Sequence, residues 1–240
     1  MNSTDVPLRL LVHGASGRMG AAVLRIARAR SDLRVVAAVA GSPPAQRVVD
    51  GVPHFAAAEI AGAPPFDVAV DFSLPDAFDR VLQACLARGA ALVTGTTGLS
   101  GAQHDALEAA AARIPVLAEA NFSLGVAVLS ELVERAAAAL PDWDCDIVEA
   151  HHVHKKDAPS GTALALGERA GEGGARPRYA SLRAGDIVGE HTVQFTGLGE
   201  RLELVHRATD RDVFARGALQ AAARLAGREP GRYRLAGLLL

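Results

Sequence analysis

The chain has 240 residues, half of them hydrophobic, few aromatics and a net charge of −2. That length supports one large domain or two small ones with real cores, and a near-neutral charge without a polybasic block argues against nucleic acid as a partner. No apolar run reaches the ~20 residues that span a bilayer, because Arg, Glu or Asp interrupts the alanine-rich stretches every few residues, so no membrane partner is expected.

Leu8 to His13 is a short apolar run that ends in the glycine turn Gly14-Ala-Ser-Gly-Arg-Met-Gly20. A helical pattern follows through Ala22, Val23, Ile26 and Ala29, then a second buried strand from Leu33 to Val39. Asp67 to Asp71 reads as a third strand, followed by a helix from about Asp76 to Arg88. Ala91 to Thr94 leads into Gly95-Thr-Thr-Gly98, a helix spans about Ala102 to Arg113, and Val116 to Ala118 is a further strand. Strands and helices alternating at this spacing predict βαβ units and a parallel sheet.

After Asn121 the rhythm changes. A long helix is predicted from about Gly125 to Leu140, a strand from Cys145 to Ala150 and a helix from about Gly161 to Arg169. Tyr179 to His206 reads as several strands joined by glycine turns, with the long helix covering one face, and Gly171-Glu-Gly-Gly174 as the flexible loop. Val213 to Leu225 returns to helix. The expected fold is α/β: a Rossmann-type parallel-sheet dinucleotide-binding domain at 1–121, with 213–240 packing back on it, and an α+β domain at 122–212. Cys85 and Cys145, with no CxxC pair, read as buried residues of a reducing compartment. The N-terminal Met-Asn-Ser-Thr-Asp-Val-Pro lacks the basic and apolar regions of a secretion signal, so a cytoplasmic protein is expected.

Gly14, Gly17 and Gly20 follow a strand and open a helix, where backbone N–H groups can approach a pyrophosphate. The GxxGxxG spacing alone is weak and also fits an ordinary strand-to-helix turn; its place at the start of the βαβ alternation favours a dinucleotide. An acid gripping the ribose of NAD would stand at the end of the second strand. That strand ends Val39-Ala40-Gly41-Ser42-Pro43, with no acid until Asp50. Arg18 and Ser42 could instead meet the 2′-phosphate of NADP, so NADPH is expected to serve at least as well as NADH. Arg18 equally suits a solvated surface. Asp71-Phe72-Ser73 and Gly95-Thr96-Thr97-Gly98 end neighbouring strands and look like the walls of a cofactor cleft.

The only two lysines, Lys155 and Lys156, stand together against 23 arginines, and His151, His152 and His154 lie beside them. Arginine keeps its proton in proteins, whereas a lysine responds to its surroundings. His151 and His152 should emerge at the strand end on opposite sides. Asp157-Ala-Pro-Ser-Gly-Thr162 has the makeup of a helix start, with Asp157 or Ser160 as cap and Pro159 near the first turn. Free N–H groups at Gly161 and Thr162, with the Thr162 hydroxyl, would bind a carboxylate. An anion site beside an ammonium and imidazoles suits a small acid whose C=N or C=O is reduced, since hydride delivery leaves charge that a proton donor must meet. HH-x-H in one loop is poor geometry for a tetrahedral ion, so no metal is expected.

Glu149-Ala-His-His-x-His-Lys-x-Asp-Ala-Pro-Ser-Gly-Thr162 resembles the signature of the 4-hydroxy-tetrahydrodipicolinate reductase, or dihydrodipicolinate reductase, family. The likeness extends through the Gly14–Gly20 turn, Asp71-Phe72-Ser73, Gly95-Thr96-Thr97-Gly98, Ala120-Asn121-Phe122-Ser123-Leu-Gly125 and Arg183-Ala-Gly-Asp-Ile-Val-Gly-Glu-His-Thr192. It implies an enzyme of lysine and diaminopimelate biosynthesis that reduces a cyclic dicarboxylate with NADPH or NADH. By matching positions, His151 would be the proton donor or acceptor and Lys155 the proton donor, with His152, Gly161 and Thr162 on the substrate. Gly14, Ala15, Ser16, Gly17, Arg18 and Met19, then Gly95, Thr96 and Thr97, then Glu119, Ala120, Asn121 and Phe122 would line the cofactor. The 122–212 domain would bind substrate and assemble a homotetramer through its sheet. Many members carry an acid where Ala40 stands and a base where Gly41 stands, and the segment between the second and third strands is short here. Lys156 reads as a surface charge near the mouth. A related dehydrogenase acting on an amino-acid semialdehyde or imine would share the glycine turn but has no reason to carry the helix-start carboxylate site next to Lys155, and His151 and Lys155 argue against an NADP-sensing protein without chemistry.

Overall fold

A computed structural model of the chain describes residues 6–42 and 45–239. Met1 to Asp5, most of the N-terminal stretch weighed above, and Pro43 at the end of the second strand lie outside the described residues. In chain order the first elements are β1 (Leu8–His13), α1 (Arg18–Arg28), β2 (Leu33–Ala40), β3 (Val48–Val49), β4 (Val52–Ala56), a short 3-10 helix (Ala57–Gly62) and β5 (Val68–Asp71). Then come α2 (Pro75–Arg88), β6 (Ala91–Thr94), α3 (Gly101–Ala111), β7 (Pro115–Ala118), α4 (Leu124–Ala139), β8 (Asp144–His151) and α5 (Gly161–Glu172). The chain closes with β9 (Pro177–Arg183), β10 (Gly189–Gly197), β11 (Glu200–Ala208), α6 (Asp212–Leu225), β12 (Gly231–Tyr233) and α7 (Leu235–Leu239). Its contacts divide into two compact units, 1–122 with 214–240, and 123–213.

The first unit carries an eight-stranded sheet in the order β12-β7-β6-β5-β1-β2-β4-β3. Every pairing in it is parallel except the small β3–β4 hairpin. The chain moves outward from β1 on one side through β2 and on the other through β5, so the strand order reverses at β1. Crevices outside the carboxyl ends at such a reversal are where open α/β sheets bind ligands. Strands buried on both faces read as unbroken apolar runs, and β5 and β6 are buried at every position. The helix α1 buries Gly20, Val23, Leu24 and Ala27; of the pattern expected, Val23 is buried, Ala22 and Ile26 are half-buried and Ala29 is exposed. The strands β3, β4 and β12 had no sequence signal strong enough to predict; they are short and border the sheet.

The second unit has a four-stranded sheet in the order β11-β10-β8-β9, antiparallel except for β8 and β9. Those two are parallel because α5 crosses over between them. Both α4 and α5 cover one face, where Leu129, Val133, Cys145, Ile147, Leu166 and Phe195 form a dry core. The expected flexible loop is corrected here: α5 runs through Gly171 and Glu172, and Gly173 is pressed against Glu134 and Ala137 of α4. Only Gly174, at φ +95°, takes the left-handed turn that needs glycine. Both cysteines are buried free thiols. Burial raises the thiol pKa at Cys85 and at Cys145, the latter to about 11, so neither is a ready nucleophile. No helix of the described residues is long and apolar enough to cross a membrane.

A Cβ on Gly20 would collide with the main-chain oxygen of Gly14, whereas one on Gly101 would meet open space. Gly20→Ala is therefore expected to lose about 2 kcal/mol, a Tm drop of roughly 4–8 °C by calorimetry, while Gly101→Ala leaves Tm unchanged or higher.

Candidate active site

In the first unit a cleft of about 700 Å³ opens at the carboxyl edge of the sheet, within the usual size range for a bound small molecule. Its lining includes His13 through Gly17, Ala40 to Ser42, His54 and Phe72 to Leu74. Gly14 has φ +78°, and a side chain there would run into the Phe72 carbonyl. The Gly14 and Phe72 main chains can therefore approach only because Gly14 lacks a Cβ. The N-cap of α1, Gly17, makes no side-chain cap and the first turn holds no acid, so the positive end of the helix faces the cleft unneutralised. A glycine cradle, a bare helix start and no carboxylate in the lining fit a dinucleotide.

Of the residues expected to line the cofactor, Gly14, Ala15, Ser16 and Gly17 stand in this cleft. Arg18 is exposed and Met19 half-buried at the start of α1, and neither belongs to the lining. Gly95, Thr96 and Thr97 form the loop after β6, and Phe122 is a buried packing residue set edge-on to Phe72 at 5.5 Å. The Glu119 carboxylate accepts from the Leu235 N–H at 3.2 Å, Ala120 is exposed and Asn121 half-buried. Ser42 lines the cleft and so does His54 on β4, a residue the sequence did not single out.

In the second unit β8 alternates inward and outward, placing Cys145, Ile147, Glu149 and His151 on the helix-covered face. His151 is the last strand residue and buried, while His152 follows half-buried. His151 Nδ1 lies 2.5 Å from Glu149 Oε2. That carboxylate also accepts two bonds from the Arg183 guanidinium, at 2.7 and 2.8 Å, and one from the Ser160 N–H at 3.3 Å. Burial opposes charge on Glu149, but the bonds from Arg183, Ser181 and His151 outweigh it and hold the carboxyl at about 2. An ionised acceptor at Nδ1 fixes the imidazole's orientation and tautomer, leaving Nε2 as the nitrogen for chemistry. That nitrogen faces the missing side chain of Gly189, whose Cβ would sit 3.1 Å away.

Ser160 caps α5, its hydroxyl accepting from Ala163 N–H at 3.2 Å. Pro159 lies outside the helix, before the cap, instead of in the first turn, and Asp157 does not cap. Its carboxylate accepts instead from Lys155 Nζ at 2.8 Å, and that bond lowers the Asp157 pKa. Open space surrounds the Gly161 position at the helix start, and Thr162 is half-buried beside it. His152 has its pKa lowered by burial and then by Arg211 and the neighbouring cations, while Lys156 and His154 are exposed. Among the described residues, no three His, Cys, Asp or Glu side chains converge on a metal position.

Sequence reasoning placed His151 and Lys155 but gave no role to Glu149, Arg183 or His191. The signal for Glu149 was present: two residues before His151 on a strand, it must share that face. Arg183 reaches the pair because β9 lies in parallel register with β8, His151 opposite Arg183, a pairing invisible before the fold is known. His191, 4 % exposed on β10, stands 5.2 Å ring to ring from His151, and its Nε2 lies 3.1 Å from the Ser160 hydroxyl.

Two family models match the chain: "Dihydrodipicolinate reductase, N-terminus" over residues 8–122 and "Dihydrodipicolinate reductase, C-terminus" over residues 125–239. A 4-hydroxy-tetrahydrodipicolinate reductase of Stenotrophomonas maltophilia (strain K279a) is 70% identical over 240 residues, covering 100% of both chains. One of Xanthomonas campestris pv. campestris (strain B100) is 66% identical over 237 residues, covering 99% of this chain and 100% of its own. Among solved structures, a dipicolinate-bound dihydrodipicolinate reductase from Paenisporosarcina sp. TG-14 superposes with a TM-score of 0.82 at 21% identity, covering 98% of this chain and all 100% of the other. The C. glutamicum DAP dehydrogenase, in complex with DAP, gives a TM-score of 0.59 at 12% identity, covering 95% and 93%. These two show a common fold.

Burial, and then the proximity of His151, lower the His191 pKa from 6.5 to about 4. Below pH 6.5 the unfolded chain takes up this proton and the folded one does not until about 4, so stability falls as pH drops through that window. His191→Gln keeps an amide near the Ser160 hydroxyl and cannot titrate. Urea denaturation from pH 7 to 4 is expected to show the variant losing less stability than the parent, by about 3 kcal/mol.

Proposed function

The chain belongs to the dihydrodipicolinate reductase family, and on that footing we propose how its own residues carry out the reduction of 4-hydroxy-tetrahydrodipicolinate with NAD(P)H in diaminopimelate and lysine biosynthesis. The nicotinamide, held by the dinucleotide-binding unit, supplies the hydride. His151 and Lys155 supply the proton. The observation that carries this assignment is the 2.5 Å contact of His151 Nδ1 with an ionised, buried Glu149. A carboxylate there steers the imidazole's other nitrogen, so that Nε2 can hold a proton and give it up at one place. Lys155, with its side chain 21% exposed and paired to Asp157, presents an ammonium that a dicarboxylate can draw toward itself.

The start of α5 receives one substrate carboxylate, with the Gly161 and Thr162 main chain and the Thr162 hydroxyl as its donors. The helix dipole favours the anion there, and His152 adds a contact on the outer side of the strand end. Gly14 to Met19, Gly95 to Thr97 and Glu119 to Phe122 hold or shape the site of the dinucleotide. The cleft's Ala40–Ser42 edge, free of acid, supports use of NADPH at least as well as NADH. The second unit's open sheet face exposes Val148, Leu182 and Val205 by 44, 54 and 40 %. These apolar residues support the assembly of a homotetramer through that sheet, and the buried reduced thiols agree with a cytoplasmic setting.

With NADPH and freshly condensed pyruvate and aspartate semialdehyde, loss of reduced-nicotinamide absorbance is expected. Failure to oxidise it would favour the sensor reading. In that assay His151→Gln and Lys155→Ala should each lower kcat about a hundredfold or more. Thr162→Val should act mainly on KM and Lys156→Ala should do little; a collapse of kcat in the last would move the proton donor from Lys155 to Lys156. Run in parallel, kcat/KM with NADPH is expected to equal or exceed that with NADH, and a large NADH preference would overturn the reading of the Ala40–Ser42 edge.

A further inference from the structure

The proton chemistry leaves one buried pair of titratable side chains unused, and it lies at the floor of the cofactor cleft. His13 ends β1 and Asp71 ends the neighbouring β5; they are 1 % and 0 % exposed. His13 Nδ1 stands 2.8 Å from Asp71 Oδ1. The same carboxylate accepts from Thr94 Oγ1 at 2.7 Å, Thr96 Oγ1 at 2.8 Å and the Ser73 N–H at 3.1 Å. These partners come from three successive strand ends, each continuing into one wall of the cleft: the Gly14 turn after β1, Phe72–Ser73 after β5 and Gly95–Thr97 after β6.

Main-chain bonds run along the same line. The Phe72 N–H donates to the His13 carbonyl at 3.1 Å, and the Gly95 N–H to the Asp71 carbonyl at 2.8 Å. Such bonds fix the strands at their ends; the loops beyond them leave the ladder, where side chains can add a further hold. One ionised carboxylate with four donors supplies that hold. A buried carboxylate is retained at this depth only when its hydrogen bonds are complete. Burial opposes its charge, and the bonds from His13, Ser73 and Thr94 hold the Asp71 pKa below its ordinary value all the same.

We propose that His13 and Asp71 are a positioning pair for the dinucleotide: the carboxylate sets the spacing of the three loops, and His13 completes its donor set from beneath the glycine turn. The proposal rests on the cofactor reading of the cleft. Neither side chain is assigned a step in the reaction. Their effect is on how closely the Gly14 and Gly95 loops fit the cofactor, so removal loosens nucleotide binding before it touches the proton chemistry of the other unit.

The test is fluorescence titration of NADPH against the purified full chain with no dicarboxylate present, so that binding is read apart from turnover. His13→Leu and Asp71→Asn are each expected to raise the NADPH Kd about tenfold, as loss of a charge-assisted bond does. In steady-state assays the rise should fall on KM for NADPH more than on KM for the dicarboxylate. His13→Asn places an amide N–H near the position of Nδ1 and should restore Kd to within about threefold of the parent. His13→Gln reaches past it and should not. If the leucine variant fails to fold, the Asn and Gln variants decide: equal Kd values for the two would overturn the pairing. An unchanged Kd in a folded His13→Leu, or a loss confined to Tm, overturns it too. Should the parent itself fail to bind NADPH, it is the cofactor reading of the cleft that fails.

Discussion

The second unit is organised around a carboxylate that has no contact with water. Glu149 would be costly to bury alone, and the cost is offset by a guanidinium, a main-chain N–H and an imidazole converging on two oxygens. Each donor comes from a different part of the chain: Arg183 from the end of β9, Ser160 from the cap of α5, His151 from β8 itself. Satisfying Glu149 therefore requires the parallel β8–β9 register, the seat of α5 and the strand end to be formed together. Arg183 also donates to the Asp157 carbonyl at 2.6 Å, so the loop that bears Lys155 is drawn into the same arrangement. The His151 imidazole and the start of α5 are thus held by one buried charge, so neither can shift without disturbing the bonds that fix the other.

The first unit solves a different problem with a different residue type. A dinucleotide-binding turn needs main chain close to main chain, and Gly14 and Gly20 permit this where any Cβ would intrude. The turn donates little to its own helix, since α1 has no side-chain cap. That leaves α1 weaker locally than α3, whose Ser100 and Gln103 close a reciprocal capping box. Stability at the turn comes from the sheet beneath it, where Val12, Val39, Val68 and Val70 are wholly buried.

Much of this was legible in the sequence for reasons that can be named. The apolar runs at Leu8–His13 and Ala91–Thr94, with helices between, carry the pattern of a parallel sheet, and the glycine turn gains its meaning from standing at the start of that alternation. The lysine and histidine cluster stood out by composition. What stayed hidden was long-range. The Glu149–Arg183 contact depends on strand register across 34 residues, and His191 reaches the site only through the antiparallel β8–β10 pairing. The short β3 and β12 are too brief to show a period, and β4, Val-Pro-His-Phe-Ala, lacks the unbroken apolar run of the buried strands. Arg18, a natural partner for a phosphate by sequence, lies outside the cleft lining because it opens α1 on an exposed face. The Gly171–Gly174 stretch has the glycine-rich composition of a loop, whereas α5 runs on through Gly171 and Glu172 and α4 packs so closely against Gly173 that a Cβ there would collide.

In chain terms the second unit is an insertion between Phe122 and Phe214, and the last strand of the large sheet, β12, pairs with β7 from more than a hundred residues away. A ribosome delivers chain from the amino end. The inserted unit is contiguous, and its whole span is released while the eight-stranded sheet still lacks its outer strand and α6. Until then β7 is an open edge, with unpaired main-chain groups that other strands can join. The order of emergence thus gives the inserted unit the chance to mature before the large sheet can close its border.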